Sequence, residues 1–378
     1  MYSEEELVAV ARRENNKKRK YLVVNKLQGK HIPVLPSKAF AMFYALGELI
    51  KKEYAGENLL IIGFAETATA IGAALAVCTD SFYMQTTREN VENMSYLYFT
   101  ESHSHATEQK LVRESLESVL DKIDRIVFAE DEITTGNTIL KIVNLIKEEF
   151  HATFSFSAAS ILNGMDKDAE ELYKEQNISC HYLVKTHHDV YTEIAARWRG
   201  DGVYVNLIRD SENTFSTKSS AELEAHGYQN ARCITKGKSY QNACEELWQQ
   251  VKAEFFSNSS QAETNKELLI LGTEEFMYPA LYVAAKLEET RYHVKFHATT
   301  RSPIVVSTEN TYPLHERFEL RSLYDKDRVT YVYELKKYDE VLIFTDAKKG
   351  QTEGISSLVN ALRSQSNTNI HIIRWCRA

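Results

Sequence analysis

The sequence predicts an α/β protein with two related units, each a parallel sheet flanked by helices. In residues 124–145 a short apolar run of strand length leads into a Thr/Gly loop and then into apolar residues at helical spacing. Residues 59–62 form a continuous apolar run, as expected of a strand buried on both faces, and a helix of small residues follows. The same succession returns at residues 268–287, so we expect the second half to repeat the architecture of the first.

The stretch 124–145 also carries residues that point to chemistry. Glu130 and Asp131 follow the apolar run, and the loop after them reads Thr-Thr-Gly-Asn-Thr at residues 134–138. Backbone N–H groups of such a loop, its threonine hydroxyls and the helix N-terminus can surround a phosphate. The two carboxylates cannot bind a phosphate, so they must face ribose hydroxyls or a divalent cation. An ordinary strand–turn–helix with acidic residues at the strand end is the alternative.

This arrangement resembles the phosphoribosyl pyrophosphate (PRPP) signature of type I phosphoribosyltransferases. The resemblance implies their fold, a Rossmann-like parallel sheet with flanking helices, here with a second related α/β domain. It also implies that Glu130, in place of the more usual Asp, and Asp131 hold the ribose hydroxyls. They would bind Mg²⁺ as well, directly or only through PRPP and water. The residues implied for the 5′-phosphate are Thr134, Thr135, Gly136, Asn137 and Thr138.

A second loop follows the apolar run at residues 59–62. Gly63 ends this run just before a helix N-terminus, which is again a possible anion site. By resemblance this is the pyrophosphate loop, with Ala65, Glu66 and Thr67, although the family's loop is usually richer in glycine and often basic. Its wording, GFAETATAIG, is similar to the phosphoribosyltransferases encoded in bacterial tellurite-resistance gene clusters. Arg88 could pair with pyrophosphate oxygens, because a guanidinium binds them in bidentate geometry, or it could form a structural salt bridge.

Two further segments are candidates for substrate contacts. The polar residues 99–108 include His103 and His105 and lie where the family's catalytic flexible loop closes over PRPP. Either histidine could donate to the leaving pyrophosphate or move a proton on the base; a His-x-His metal site and a plain surface role are the alternatives. Lys30 and His31, in the sequence GKHIP, are candidates for the hood over the base, or for an ordinary surface loop.

Composition restricts the partners and the compartment. The chain has 378 residues with a net charge of −8, which disfavours non-specific nucleic-acid binding. No apolar run reaches the roughly 18 residues that span a bilayer, and the charged N-terminal sequence does not read as a signal peptide. Its five cysteines are scattered without metal-ligand spacing. We therefore expect a cytoplasmic protein with no membrane or nucleic-acid partner.

We predict a phosphoribosyltransferase domain at residues 1–210, a polar linker at 211–239 and a second domain at 240–378. In the second domain, residues 300–303 read TRSP and resemble the signature of a companion domain of the tellurite-resistance subfamily. The acidic pair is altered there, because Thr345 replaces the first carboxylate and leaves Asp346 alone. A phosphate could still bind to this copy, but the ribose-holding pair is lost.

The resemblance implies Mg²⁺-dependent pentosyl transfer from PRPP to a nucleobase-like acceptor, with release of pyrophosphate, by a homodimer. Nothing in the sequence specifies the base. The alternatives are a PRPP or nucleotide sensor that does not catalyse transfer and the reverse chemistry, release of a base from a nucleotide. A sensor has no need of a closing loop, so residues 101–108 are the segment that distinguishes it from an enzyme.

Overall fold

The computed structural model describes residues 2–14, 19–99, 109–151, 153–208, 221–257, 265–350 and 352–376. Their strands, in chain order, are β1 (Val8–Arg12), β2 (Tyr21–Asn25), β3 (Leu59–Gly63), β4 (Phe82–Gln85), β5 (Tyr96–Tyr98), β6 (Lys110–Val112), β7 (Arg125–Ile133), β8 (Ser155–Asn163), β9 (Ile178–Lys185), β10 (Val203–Asn206), β11 (Ala221–Glu224), β12 (Thr235–Lys236), β13 (Glu267–Gly272), β14 (His293–Ala298), β15 (Glu316–Arg321), β16 (Val329–Tyr333), β17 (Glu340–Thr345) and β18 (Ile370–Arg374). Their α-helices are α1 (Glu4–Leu7), α2 (Pro36–Glu53), α3 (Thr69–Thr79), α4 (Arg113–Glu117), α5 (Asn137–Phe150), α6 (Lys167–Glu175), α7 (Tyr191–Arg197), α8 (Gly237–Phe255), α9 (Tyr278–Glu289) and α10 (Thr352–Ser364).

The chain forms two compact units, and each is made of three separate segments of the sequence. The first unit comprises residues 1–2, 40–186 and 229–243, and the second comprises 3–39, 187–228 and 244–378. These groupings do not follow the predicted boundaries at 210 and 239, because two segments before residue 210 join the second unit and part of the predicted linker joins the first. The α/β class of both units is confirmed. Among the described residues, no helix is both long and apolar enough to cross a bilayer.

The first unit is built on a six-stranded sheet in the order β12-β4-β3-β7-β8-β9. Its strands run parallel except β12, which pairs antiparallel with β4 at the edge. Every residue of β3 is buried, as its unbroken apolar sequence predicts. Helix α3 begins close above the end of β3, where a Cβ on Gly72 would lie 2.7 Å from the Gly63 Cα atom. This close approach sets the helix N-terminus beside the strand end.

The second unit repeats the central part of this topology. Its main sheet has the order β11-β18-β17-β13-β14, with all neighbours parallel. The order β4-β3-β7-β8 in the first unit therefore corresponds to β14-β13-β17-β18 in the second. A separate sheet, β10-β15-β16, and the β1–β2 hairpin also belong to this unit. The shared strand order confirms the prediction of a second related α/β domain.

One hydrogen-bond pattern recurs in both units at the same place. In the first, the Thr86 N–H donates to the Gly63 carbonyl (2.9 Å) and the Ala65 N–H donates to the Thr86 hydroxyl (2.8 Å). In the second, the Thr299 N–H donates to the Gly272 carbonyl (3.0 Å) and the N–H of the second residue after Gly272 donates to the Thr299 hydroxyl (3.0 Å). Matched side-chain bonds at matched strand ends support an internal duplication.

Candidate functional site

Strand β7 carries the acidic pair of the first unit. The sequence predicts that Glu130 and Asp131 follow a strand ending at Ala129, but β7 continues to Ile133. Its parallel pairing with β8 continues as well, from Glu130 opposite Ser160 to Ile133 opposite Asn163. Both acidic residues are half-buried, and the pairing of β7 with β8 holds the backbone that carries them.

The acidic pair and the predicted pyrophosphate loop meet at a direct contact. The Thr67 hydroxyl donates to the Asp131 Oδ1 atom over 2.8 Å. The same loop is held from its other side by the bond from the Ala65 N–H to the buried Thr86 hydroxyl, and the peptide bond between Ala65 and Glu66 is cis. The structure thus brings together two motifs that are 64 residues apart in the sequence.

The local electrostatics disfavour two ionised carboxylates. Burial raises the pKa of Glu130 well above its ordinary range, and the neighbouring charges of Asp131 and Glu132 raise it further. Burial also raises the pKa of Asp131, although its hydrogen bond from Thr67 opposes the rise. Ligands that donate hydrogen bonds to these oxygens, or a cation near them, would stabilise the ionised forms. Sugar hydroxyls and Mg²⁺ both meet that description.

The loop after β7 has a backbone that suits an anion. Gly136 has a φ of +71° and forms the N-cap of α5. Its carbonyl accepts hydrogen bonds from the Leu140 N–H (3.1 Å) and from the Tyr173 hydroxyl (2.9 Å). Thr135 and Asn137 are exposed and Thr138 is half-buried, as is Thr134 at the start of the loop. Unbonded N–H groups in the first turn of a helix can bind a phosphate, so the geometry suits the role predicted for these residues.

Tyr173 supports this loop and was missed by the sequence analysis. It is the buried residue of α6, and its ring lies so close to Gly136 that a Cβ there would meet the ring at 2.5 Å. Burial raises the pKa of Tyr173, and the nearby charges of Cys180 and Glu130 add to the rise, so the phenol keeps its proton for the loop carbonyl. A tyrosine on the apolar side of a predicted helix is the signal that the sequence offers. Its buried hydroxyl needs a hydrogen-bond partner, but the sequence does not show which one.

A buried polar cluster lies at the ends of β8 and β9, beyond the acidic pair. Asn163 is fully buried, and its Oδ1 atom accepts bonds from the Met165 N–H (2.9 Å) and the Lys185 ammonium (3.0 Å). The ammonium also donates to the Met165 carbonyl and to Glu170, each over 2.5 Å. This cluster fixes the loop at residues 163–165.

Arg88 is half-buried directly after a two-threonine turn. Thr87 forms reciprocal backbone hydrogen bonds with Lys110, the first residue of β6, which pairs antiparallel with β5. The Lys110 ammonium lies 4.4 Å from the centre of the Tyr96 ring. In sequence, β5 and β6 flank the segment that contains His103 and His105, and both histidines lie outside the described residues. Their proposed catalytic role stays a prediction.

Lys30 and His31 belong to the second unit. Lys30 is fully buried, and its ammonium donates to the carbonyls of Glu274 and Thr299, each over 2.9 Å. These contacts bind the ammonium to carbonyls of the second unit, and the base-binding role of Lys30 and His31 stays a prediction. His31 is also buried, contrary to the surface-loop alternative.

In the second unit, the position equivalent to the pyrophosphate loop is filled by internal ion pairs. The buried Glu274 carboxylate accepts from Arg301 (2.9 Å), Arg328 (3.1 Å) and the Ser322 hydroxyl. Asp346, the remaining acidic residue, accepts from the Tyr324 and Tyr228 hydroxyls over 2.7 and 3.0 Å. These groups bind one another rather than presenting an open acidic pair, in agreement with the predicted loss of the ribose-holding site.

Among the described residues, protein groups alone do not form a metal cage. Within the part of the chain that the structure describes, no cluster of three or more His, Cys, Asp or Glu side chains could hold a metal ion. Mg²⁺ keeps several waters and is usually bound through one or two carboxylates together with substrate phosphates. Glu130 and Asp131 fit that mode, in which most ligands come from water and the bound substrate.

Two family models match this chain in succession. Residues 7–192 match "Phosphoribosyl transferase", and residues 235–362 match "TRSP domain C terminus to PRTase_2". No curated protein is significantly similar to the chain.

Several solved structures resemble about half of it. They include the adenine phosphoribosyltransferase of Rhodothermus marinus (13% identity, 48% of this chain and 96% of that one, TM-score 0.35) and that of Giardia lamblia (11%, 49% and 96%, 0.35). The orotate phosphoribosyltransferase of Aeropyrum pernix gives 16% identity over 50% of this chain and 93% of that one, with a TM-score of 0.32. At these scores the assignment depends on the family models and not on the solved structures. The two matches, in this order, show that the chain belongs to the phosphoribosyltransferases that carry a TRSP domain on their C-terminal side.

Proposed function

We propose that the first unit transfers phosphoribose from PRPP to a nitrogenous base and releases pyrophosphate. The observation that carries the proposal is the contact between Thr67 and Asp131, which joins a candidate pyrophosphate loop to a candidate ribose site. A PRPP molecule presents pyrophosphate, ribose and 5′-phosphate in that order. The pyrophosphate loop, the acidic pair and the loop around Gly136 provide a group of suitable chemistry for each part.

Each group has a separate role in this proposal. The N–H groups and hydroxyls of residues 134–138 bind the 5′-phosphate at the N-terminus of α5. Glu130 and Asp131 accept hydrogen bonds from the ribose hydroxyls, which favour the ionised carboxylates over the protonated forms. The loop at residues 65–67 and Arg88 bind the pyrophosphate.

Transfer breaks the bond from the ribose C1 atom to the pyrophosphate oxygen, which leaves with the bonding electrons, and forms a bond from C1 to a nitrogen lone pair of the base. An acceptor nitrogen that carries hydrogen then releases its proton to water. Positive charge develops on the ribose as the first bond lengthens. Carboxylates held beside that charge stabilise it without reorganisation, and removing one such preorganised group typically costs about 2–4 kcal/mol in the transition state. Mg²⁺ bound together with PRPP would neutralise charge on the departing pyrophosphate. Neither step requires a covalent nucleophile from the protein.

The finer assignments are part of the same proposal. The acceptor is a nucleobase-like molecule, and the cluster around Asn163 and Lys185 holds the segment that would face it. The GFAETATAIG sequence supports a place in nucleotide metabolism associated with tellurite resistance, and the wider family supports a homodimer.

The test is an assay of pyrophosphate release. The full chain is incubated with Mg²⁺, PRPP and single nitrogenous bases, each assayed separately, and pyrophosphate is measured with a coupled enzyme. We expect release with at least one base, and loss of release in the Asp131→Asn variant. Asp124→Asn, at the other end of the same stretch of chain, is the matched control and should stay active, because its carboxylate binds the Asn58 N–H (2.7 Å) and not the site. Binding of PRPP without release with any base would instead favour a PRPP sensor.

A further inference from the structure

The edge of the first sheet is completed by residues 229–243, here called the edge segment. This segment follows residue 192, where the match to the phosphoribosyl transferase family ends, yet it belongs to the first unit. Its strand β12 pairs with β4, and hydrogen bonds hold both ends of β4 to the segment. At one end the Gly237 N–H donates to the Ser81 carbonyl (2.9 Å), and at the other the Gln85 N–H donates to the Ala231 carbonyl (2.8 Å).

The edge segment brings a buried arginine to the residues beside the pyrophosphate loop. Arg232 is 7% exposed, and its Nε atom donates to the Thr87 hydroxyl over 3.1 Å. The same hydroxyl accepts a bond from the Glu89 N–H (2.9 Å). Arg88 lies between Thr87 and Glu89 in the chain, so Arg232 and Thr87 together fix the turn that carries this candidate pyrophosphate ligand.

The turn is connected to the other groups that would bind pyrophosphate. Thr86 precedes it and holds the Ala65 N–H through its hydroxyl. Thr87 also pairs through its backbone with Lys110 at the start of β6. A displacement of Thr87 would therefore also displace the loop at Ala65 and the start of β6 at Lys110.

The charge of Arg232 acts within the same region. Burial raises the pKa of Tyr96 on β5, and the positive charge of Arg232 is among the effects that oppose this rise. A pyrophosphate group is strongly anionic, and a positive charge in a sheltered site is screened less by salt than one on the surface. Arg232 therefore contributes a favourable field as well as a hydrogen bond.

We propose that Arg232 is a positioning residue for the pyrophosphate end of PRPP and that the edge segment is part of the transferase site. Arg232 holds Thr87 and the turn at Arg88 in place, and its charge favours the anion bound there. This inference rests on the proposed function. It places a residue of the site 40 residues beyond the end of the transferase family match, between the two matched regions.

The test compares the binding of PRPP with that of two smaller molecules, each of which corresponds to a different part of PRPP. Calorimetry measures the affinities of the full chain for PRPP with Mg²⁺, inorganic pyrophosphate with Mg²⁺, and ribose 5-phosphate. We expect Arg232→Gln to weaken PRPP and pyrophosphate binding about tenfold or more, because it removes both the guanidinium that holds Thr87 and the positive charge that favours the anion. Ribose 5-phosphate binding should change less than about twofold, because its phosphate binds at residues 134–138. Arg232→Lys should give intermediate losses, since it keeps the charge but not the guanidinium geometry.

Arg125→Gln is the matched control. Arg125 begins β7, binds Glu57 over 2.7 Å and lies above the Tyr54 ring, so its loss perturbs the same unit without touching the turn at Arg88. Its variant should bind all three probes as the wild type does. Equal losses for all three probes in Arg232→Gln, or no loss for any, would overturn the inference. If Arg232→Gln does not fold, the same comparison is made with Arg232→Lys. Failure of the wild type to bind PRPP would overturn the proposed function itself and this inference with it.

Discussion

Replacing Gly136 by alanine should disable the 5′-phosphate loop and destabilise the first unit. The φ of +71° disfavours any residue with a Cβ, at about 1–2 kcal/mol. The new Cβ would also lie 2.5 Å from the Tyr173 ring, and overpacking of this kind costs about 1–3 kcal/mol. Moving the ring would weaken its hydrogen bond to the Gly136 carbonyl, at about 0.5–1.5 kcal/mol. Allowing about 0.4–1 kcal/mol for the stiffer unfolded chain, we expect a net loss of about 1.5–6 kcal/mol.

Gly56→Ala is the matched control for this experiment. Gly56 also has a positive φ, +90°, but no atom lies within 4 Å of the position that an alanine Cβ would take, so its substitution introduces backbone strain alone. Chemical denaturation measures the free energy of unfolding of both variants, and calorimetry measures their affinity for ribose 5-phosphate. Gly136→Ala should be the less stable variant by about 1.5–4.5 kcal/mol, the sum of the overpacking and the weakened Tyr173 hydrogen bond, and should lose binding, whereas Gly56→Ala should bind normally. Equal stability of the two variants together with normal binding by both would refute the packing argument.

Three further substitutions test separate parts of the account. Tyr173→Phe removes the hydroxyl that supports the Gly136 carbonyl, so we expect a loss of about 0.5–1.5 kcal/mol in unfolding free energy and weaker ribose 5-phosphate binding. Glu130→Gln should slow transfer about 30- to 900-fold, the equivalent of about 2–4 kcal/mol, but raise the melting temperature at neutral pH, because the pKa of Glu130 is raised in the folded protein and its ionised form opposes folding. A raised carboxyl pKa favours folding below the ordinary value of 4.5, and this advantage is lost as the pH rises. The difference in melting temperature between Glu130→Gln and the wild type should therefore shrink as the pH falls toward 4.5. A difference that stays constant with pH would contradict the burial argument. Glu274→Gln should destabilise the second unit by about 1–3 kcal/mol, because Arg301 and Arg328 lose their shared carboxylate but keep Glu275 and Asp325 as partners, and PRPP affinity should not change in the surviving folded protein.

Local motifs could be predicted from the sequence because their signals lie close together in the chain. The run of β3, the helix after the loop and the glycine at 136 are each specified within a few residues. The end of β7 was misplaced for a physical reason: its continuous apolar run stops at Ala129, but backbone pairing with β8 does not require apolar side chains. Strand length therefore depended on the neighbouring strand, which the local pattern does not reveal.

Contacts between distant segments could not be read from the sequence. Tyr173 lies 37 residues from the carbonyl it supports, and Arg232 lies 145 residues from Thr87. Lys30 was a candidate for the hood over the base or for a surface loop; its burial and its two acceptors, carbonyls 244 and 269 residues away, have no signal in the local sequence. Each of these side chains is buried, and its partner is determined by packing and not by spacing along the chain. The duplication is the exception, because the repeated order of motifs reveals a long-range relation in the sequence itself.

The central claim is that PRPP binds at the acidic pair of the first unit, and calorimetric titration of PRPP tests it most directly. PRPP is titrated with and without Mg²⁺ into the wild type, Asp131→Asn and the control Asp124→Asn. We predict Mg²⁺-dependent binding by the wild type and by Asp124→Asn, with affinity at least about tenfold weaker for Asp131→Asn, since a hydrogen bond to a charged group is lost. Absence of binding by the wild type at millimolar PRPP, or equal binding by Asp131→Asn, would contradict the claim.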